Sequence, residues 1–333
     1  MEIIVRNVNQ AFSDIFWRLK ALNLEPETTR NGPALVVPEP VVTTYQCPQE
    51  RVLFHGGRDA NPVFHLLESI WMLAGRRDVA FLQRFNSRIG QYSDDGKNFN
   101  AAYGYRWRRH FGRDQLDEVV KLLRRDPASR QAVVQIWDQA DLTKRTKDKA
   151  CNTQMVFDTR GGRLNMTVFN RSNDIWWGAY GANAVHFSIV QEFVACAVGL
   201  RTGWYRQVSH NLHLYTELYN AQRYLDMPPD ADSYDLYSAG QVRPAPLMLT
   251  GEYRVFLDEC EQFCNDPFNT DRTYRNPFLQ HVAVPMAMVS RVRNAHAGDG
   301  RAYAAKIRAE DWRRAVSDWI NRRELARAER DSA

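Results

Sequence analysis

One stretch constrains this chain more than any other: "NAVHFSIVQEFVACAVGL", residues 183–200. It is apolar round most of a helix, and such a helix is stable only where other elements cover most of its sides. A chain of 333 residues, 44% hydrophobic and 25% charged, can build a core of that depth. No stretch approaches the roughly 20 apolar residues that cross a membrane. The N-terminus, "MEIIVRNVNQAF", has no charged segment followed by a long apolar run, so no signal peptide is expected and the cytoplasm is the expected location.

The elements that would cover this helix are legible on both sides of it. Val8, Phe12, Ile15, Leu19 and Leu22 recur three or four apart and predict a helix over 8–22. Asn31-Gly32-Pro33 marks a turn, followed by short β-branched runs. "VFHLLESIWMLAG" (63–75) reads as a helix closed by Gly75, residues 78–90 as another, and 114–125 as an amphipathic helix stopped at Asp126-Pro127. "QAVVQIW" (131–137), "CNTQMVFDTR" (151–160) and "RLNMTVFNR" (163–171) read as strands, the last two a hairpin through Gly161-Gly162. Residues 203–225 begin as a strand and become a helix. Beyond about residue 228 the text, with Pro228, Pro229, Pro244 and Pro246, reads as loops before a charged C-terminal helix. No repeat or linker interrupts this order, which predicts one mixed α/β domain.

The five cysteines, Cys47, Cys151, Cys196, Cys260 and Cys264, are odd in number and scattered. Cys260 and Cys264 lack a second Cys or His pair, so free thiols and no metal are expected. The net charge of +5 is spread along the chain, with clusters at Arg106-Arg108-Arg109 and Arg313-Arg314. A diffuse basic excess suits an anionic small molecule as well as a nucleic acid.

Several residues stand out against a purely structural pattern. Cys151 opens a strand between "KDKA" and "NTQ" instead of sitting inside the apolar run, where an inert buried thiol belongs. Glu68 interrupts an apolar helix, which is unfavourable unless the charge is paired or used; the simpler alternative puts it on a solvent stripe. Arg171, Ser172 and Asp174 fall within four residues of "NRSNDIWWGAYGAN" (170–183), a combination suited to phosphate or to a plain surface turn. In "SHNLHLY" (209–215), His213 and Tyr215 share one face of a strand, where local satisfaction is the commoner reason for such a pair. Walker, dinucleotide, HExxH and GxSxG motifs are absent. Cys151 alone fits a thiol protease, and basic aromatic loops fit a nucleic-acid binder.

The order of the segments is more specific than any one of them. "LLESIWML", "YGYRWR", "DPASRQ" running into a strand, the strand-opening cysteine, "RSND", Asn183 opening an apolar helix and "HLY" succeed one another in an order that resembles the thymidylate synthase superfamily, from about residue 8 to about residue 225. The resemblance implies a thymidylate-synthase-like α/β (α+β) fold, a large mixed sheet flanked by helices, with one sheet face used for a homodimer. It implies a catalytic core over 1–228 and leaves 229–333 as an extension of unassigned role. It implies a pyrimidine nucleoside monophosphate and 5,10-methylenetetrahydrofolate as substrates, without a metal, a membrane or a nucleic acid.

Site residues come from the same resemblance. Cys151 matches the nucleophile that attacks C6 of the base, and nearby arginines are expected to lower its pKa. Arg171, Ser172 and Arg30 match phosphate-binding positions, and Arg130 the arginine donated across the dimer, although Gln131 replaces a usual second arginine. Glu68 matches a glutamate that organises water and proton transfer, and Tyr103 an active-site tyrosine. Asp174 and Gly178 match folate-facing positions, His213 and Tyr215 the pair on the sugar 3′-hydroxyl, and Asn183 the residue that reads the base edge.

Three departures separate this chain from a typical synthase. "RIGQYSDDG" stands where a tryptophan-rich segment shields the methylene intermediate, with Gly90 near an expected tryptophan; Asn152 follows the cysteine where histidine is usual; and "RRELARAERDSA" replaces a short apolar tail. Each makes the site wetter, and an unshielded methylene is captured by water instead of hydride. The expected reaction is therefore C5 hydroxymethylation of a deoxynucleotide. "RSND" is also the form in a phage deoxycytidylate hydroxymethylase. The Asn183 amide can meet uracil or cytosine by rotating, and the loss of the histidine tilts the expectation to dCMP over dUMP. The alternatives are a methyl-forming enzyme, either a synthase or a dCMP methyltransferase, and a non-catalytic regulatory or nucleic-acid-binding homologue.

Overall fold

The computed structural model describes residues 1–218, 222–226, 235–247, 253–293 and 297–331. Its frame is a six-stranded sheet in the order β1 (Glu2–Val5), β4 (Val41–Tyr45), β9 (Arg201–Ser209), β7 (Arg163–Asn170), β6 (Asn152–Asp158), β5 (Val133–Gln135). Parallel and antiparallel pairs alternate through β1, β4, β9 and β7, so the sheet is mixed as expected. A second sheet runs β2 (Glu27–Thr29), β3 (Gly32–Val36), β10 (Leu212–Tyr215), β8 (Asn173–Asp174). The β6–β7 hairpin turns at Gly161 and Gly162, with φ of 70° and 68°, a region that favours glycine.

Between the sheets and their helical cover lies the stretch that most constrained the chain. It forms α6 (Asn183–Val198), counted after α1 (Val8–Leu22), α2 (Pro62–Leu73), α3 (Val79–Gln83), α4 (Tyr103–Tyr105) and α5 (Gln115–Arg125). Every α6 residue except Cys196 and Val198 is buried, because β7, β9, α2 and α5 all pack on it. The expectation that no stretch could cross a membrane needs correcting. Ile175–Val198 is long and apolar enough by composition, but 89% of its apolar window is buried within the protein, as core helices are. The opposite face of the six-stranded sheet carries Val42, Thr167, Phe169, Trp204 and Val208, all partly open to solvent.

Other expectations are adjusted. Residues 78–90 are not one helix: α3 stops at Gln83 and a 3-10 turn comes next at Ile89–Tyr92. Between them the Asn86 side chain accepts the Arg88 amide at 3.2 Å, a local bond that competes with helix continuation. β5 is shorter than 131–137, because the Ile136 and Trp137 amides both turn to the Thr153 carbonyl. Of the helix expected up to residue 225, α7 (Gln222–Asp226) is described.

The loop-rich reading beyond residue 228 is overturned. The boundary at 228/229, with Pro228 and Pro229, lies outside the described residues, but the C-terminal third is mainly helical: α8 (Tyr253–Asn265), α9 (Val284–Arg293), α10 (Ala297–Ala304) and α11 (Glu310–Asp331). The missed signal was Phe256, Cys260, Phe263 and Cys264 at helical spacing, all buried. α8, α9 and α11 pack on α2, and their apolar side chains join the same core as the sheets. Arg51 and Glu192, both about 2% exposed, pair at 2.5 Å, and Glu192 also accepts the Leu247 amide at 3.1 Å.

Candidate active site

Cys151 stands half-buried at the mouth of β6. Two carboxylates fix the loop before it. Asp94 accepts Thr146 Oγ1 at 2.5 Å and the Lys147 amide at 3.0 Å, and Asp148 accepts the Ala101 amide at 2.8 Å. The Cys151 amide then donates to Tyr103 Oη at 3.3 Å, which ties the cysteine at the start of β6 to α4.

Arg171, on the strand-end beside it, donates from Nε to the Ala150 carbonyl at 2.8 Å, lies 5.5 Å from the Trp137 ring and brings Nη2 to 3.8 Å from Cys151 Sγ. The expected lowering of the thiol pKa is not what results. Burial pushes the Cys151 thiol up more strongly than Arg171 and Arg30 pull it down, and Asp148 and Asp174 push it further up. Ser172 is half-buried between β7 and β8. Arg30 lies in the β2–β3 turn, next to Asn31, whose Nδ2 donates to Tyr215 Oη at 3.1 Å. Arg130 is exposed in the turn before β5. Among the described residues its side chain has no hydrogen bond or ion pair.

His213 and Asp174 face each other in the β10–β8 register, and the His213 and Tyr215 rings lie 5.0 Å apart. Burial favours the neutral form of both partners, raising the Asp174 carboxyl and lowering the His213 imidazole. Asp174 also caps the adjoining turn, accepting the Trp176 and Trp177 amides at 3.3 and 2.8 Å. Arg58 donates to the Trp176 carbonyl at 2.7 Å and lies under both tryptophan rings, leaving Trp177 43% exposed.

The base-reading candidate is embedded in amides. Asn183 Nδ2 donates to Asn173 Oδ1 at 3.0 Å. Asn173 Nδ2 donates to Gln207 Oε1 at 3.2 Å and to Ser209 Oγ at 3.0 Å. Gln207 Nε2 donates to the Ala179 carbonyl at 2.9 Å and to Tyr45 Oη at 3.0 Å. Gly178 lies so close that a Cβ would meet Asn173 Oδ1 at 2.7 Å, which gives this glycine a packing reason apart from any ligand. Glu68 is not on a solvent stripe: every other residue of α2 is buried, and its side chain, 19% exposed, turns to His186 Nε2 at 3.3 Å.

The comparisons with known proteins decide the family. The thymidylate synthase family model matches residues 58–231. A deoxyuridylate hydroxymethyltransferase of Pseudomonas phage M6 is 43% identical over 98% of this chain and 95% of its own. One of Bacillus phage SP01 is 41% identical over 55% of this chain and 51% of its own. A putative thymidylate synthase of Methanothermobacter thermautotrophicus is 38% identical over 37% of this chain and 54% of its own.

The chain belongs to the thymidylate synthase family.

By that membership it is a one-carbon transferase, and the non-catalytic alternative loses its support. Two of the departures from a typical synthase look different in three dimensions. Asn152 is fully buried and its Nδ2 donates to Asn170 Oδ1 beneath the sheet. Gly90 is packed so that a Cβ would meet Gln83 Nε2 at 2.5 Å. Sequence reasoning missed His186, Asn170, Asn173, Arg58 and Gln207 in this thymidylate synthase relative. Gln207 was the most findable, since the alternation of β9 puts Tyr205, Gln207 and Ser209 inward and leaves a polar amide at a core position.

Proposed function

We propose that this protein converts dUMP to 5-hydroxymethyl-dUMP with 5,10-methylenetetrahydrofolate as one-carbon donor. The observation that carries the reading is the end-to-end similarity to the Pseudomonas phage deoxyuridylate hydroxymethyltransferase in a chain that sets Cys151 Sγ beside Arg171. The leaning to cytosine rested on the loss of the histidine usual after the cysteine, and the deoxyuridylate named for the phage relatives outweighs it in favour of dUMP.

Cys151 adds to C6 of the base, and C5 gains nucleophilic character for the one-carbon unit. Arg171, Ser172 and Arg30 hold the phosphate, with Arg130 contributed by a second copy through the open face of the six-stranded sheet. His213 and Tyr215 hold the sugar, and Asn183 reads the base edge. Asp174 and Gly178 line the folate side, where the exposed Trp177 over Arg58 offers an aromatic surface. Tyr103 fixes the nucleophile's backbone, and Glu68, backed by His186, takes the proton of the water that becomes the hydroxyl.

The test is tritium release from dUMP and dCMP labelled at C5, with the product weighed by mass spectrometry. The expected product is dUMP heavier by CH2O with no dihydrofolate formed. A methyl product with dihydrofolate would make the enzyme a synthase, and no turnover of any pyrimidine monophosphate would remove the reading.

A further inference from the structure

An asparagine amide is symmetrical in outline and opposite in chemistry, so Asn183 alone serves uracil and cytosine equally. Its surroundings do not. The chain of bonds behind it ends on the Ala179 carbonyl, which accepts and cannot turn round. That fixes Gln207 with Nε2 toward Ala179 and Oε1 toward Asn173. Asn173 must then offer Nδ2 to Gln207 and Ser209, leaving Oδ1 for Asn183. Asn183 must in turn present Nδ2 to Asn173. Asn173, Gln207 and Ser209 are 1–3% exposed, so water cannot reverse the sequence.

We propose that Asn173 and Gln207 are specificity-positioning residues that lock the Asn183 amide in the orientation for a uracil base. One Nδ2 hydrogen serves Asn173. The other, with Oδ1 beside it, forms a donor–acceptor pair facing the site, complementary to the O4 acceptor and N3–H donor of uracil. Cytosine presents the reverse pair and needs the flipped amide. A flip would set Asn183 Oδ1 against Asn173 Oδ1. Relief there would force Asn173 to turn and set Oδ1 against Gln207 Oε1, and turning Gln207 would set Oε1 against the Ala179 carbonyl. Each arrangement leaves two buried acceptors opposed, so the penalty cannot be passed out of the network.

The inference rests on the proposed nucleotide activity but is read separately from it, by binding of dUMP and dCMP in the absence of folate. Wild type is expected to bind dUMP ten- to a hundredfold more tightly than dCMP, about the discrimination a built hydrogen-bond pair gives against its inverse. Asn173→Ala and Asn173→Ser, the second keeping a hydroxyl that donates or accepts, are expected to narrow that ratio about tenfold, chiefly by improving dCMP relative to dUMP. C5 tritium release from the two nucleotides should track the same ratio. Equal loss of both nucleotides in the folded variants, or a wild type that binds both alike, overturns the lock. Discrimination in binding without turnover would leave the lock standing and remove only the catalytic reading. Gln207→Met gives an independent route if the Asn173 variants fail to fold, with the same narrowing expected.

Discussion

The two ends of the proposed nucleotide site are built on opposite plans. At the phosphate end, Arg171 and Arg130 are exposed and Arg30 sits in a surface turn. At the base end, Asn183, Asn173 and Gln207 are buried, uncharged and bonded to one another. A phosphate is recognised by charge, which acts at a distance and tolerates rotation. A base edge is recognised by which atom donates and which accepts, and that requires a fixed amide. One end can therefore be left open to solvent, and the other has to be held from behind.

The comparison can be broken at its hinge. Cys151→Ser should abolish C5 tritium release by about 10⁴-fold or more while leaving dUMP binding nearly intact; comparable loss of binding would mean that the thiol organises the pocket. At the charged end, Arg171→Ala should lower kcat/KM by about 10²–10³-fold, and Arg171→Lys should recover only part of it, since Lys cannot reach Ala150 and a phosphate together. Neither Arg171 variant should alter the choice of base, and a change there would join the two ends into one.

Smaller effects sharpen the picture. Asp94→Ala removes the staple on Thr146 and Lys147 and should slow turnover several-fold, with a small drop in the urea midpoint. The raised Cys151 thiol predicts that alkylation of the free enzyme climbs with pH beyond the ordinary thiol range, above about pH 8.5. Arg171→Ala should move that profile still higher, because it removes the main downward pull. Burial acts on charge elsewhere too. Asp311, bonded to Tyr237 Oη at 2.9 Å, is pushed up to about 7. Its folded value lies above its unfolded one, so its contribution to stability is full below about pH 4 and is lost as pH rises through about 7. The melting temperature of wild type should fall between about pH 4 and pH 7 and level off above that, and Asp311→Asn should show less of this fall.

The same contrast explains what could be read from the sequence. Val8, Phe12, Ile15 and Leu19 announce α1 by spacing, and the apolar run of α6 announces its burial, because both arise from local periodicity. Arg171 and Cys151 stand out because a charge or a thiol at a strand end is unusual in itself. Gln207 and Asn173 do not, since a polar residue in a strand is unremarkable until its partner, far away in sequence, is known. His186 was hidden for a similar reason: within α6 it reads as one polar residue in a core helix, and only packing brings it to Glu68 on α2. The helices beyond residue 235 were obscured by prolines. Pro285 is the second residue of α9, just past the π-type turn Leu279–Ala283, where irregular backbone accommodates a missing amide.

The order of strands in the large sheet has a practical consequence for anyone cutting the gene. The family match spans residues 58–231, yet β4, from Val41–Tyr45, is the neighbour of β9, and β1 is the neighbour of β4. A fragment trimmed to the match would start with two of the six strands missing, an open β9 edge, Glu192 without Arg51, and α2 stripped of the helices that cover it. Raw edges and bare apolar faces of that kind invite aggregation. The recognisable segment is thus a signature within the fold, and the smallest piece that should survive on its own is close to the whole chain.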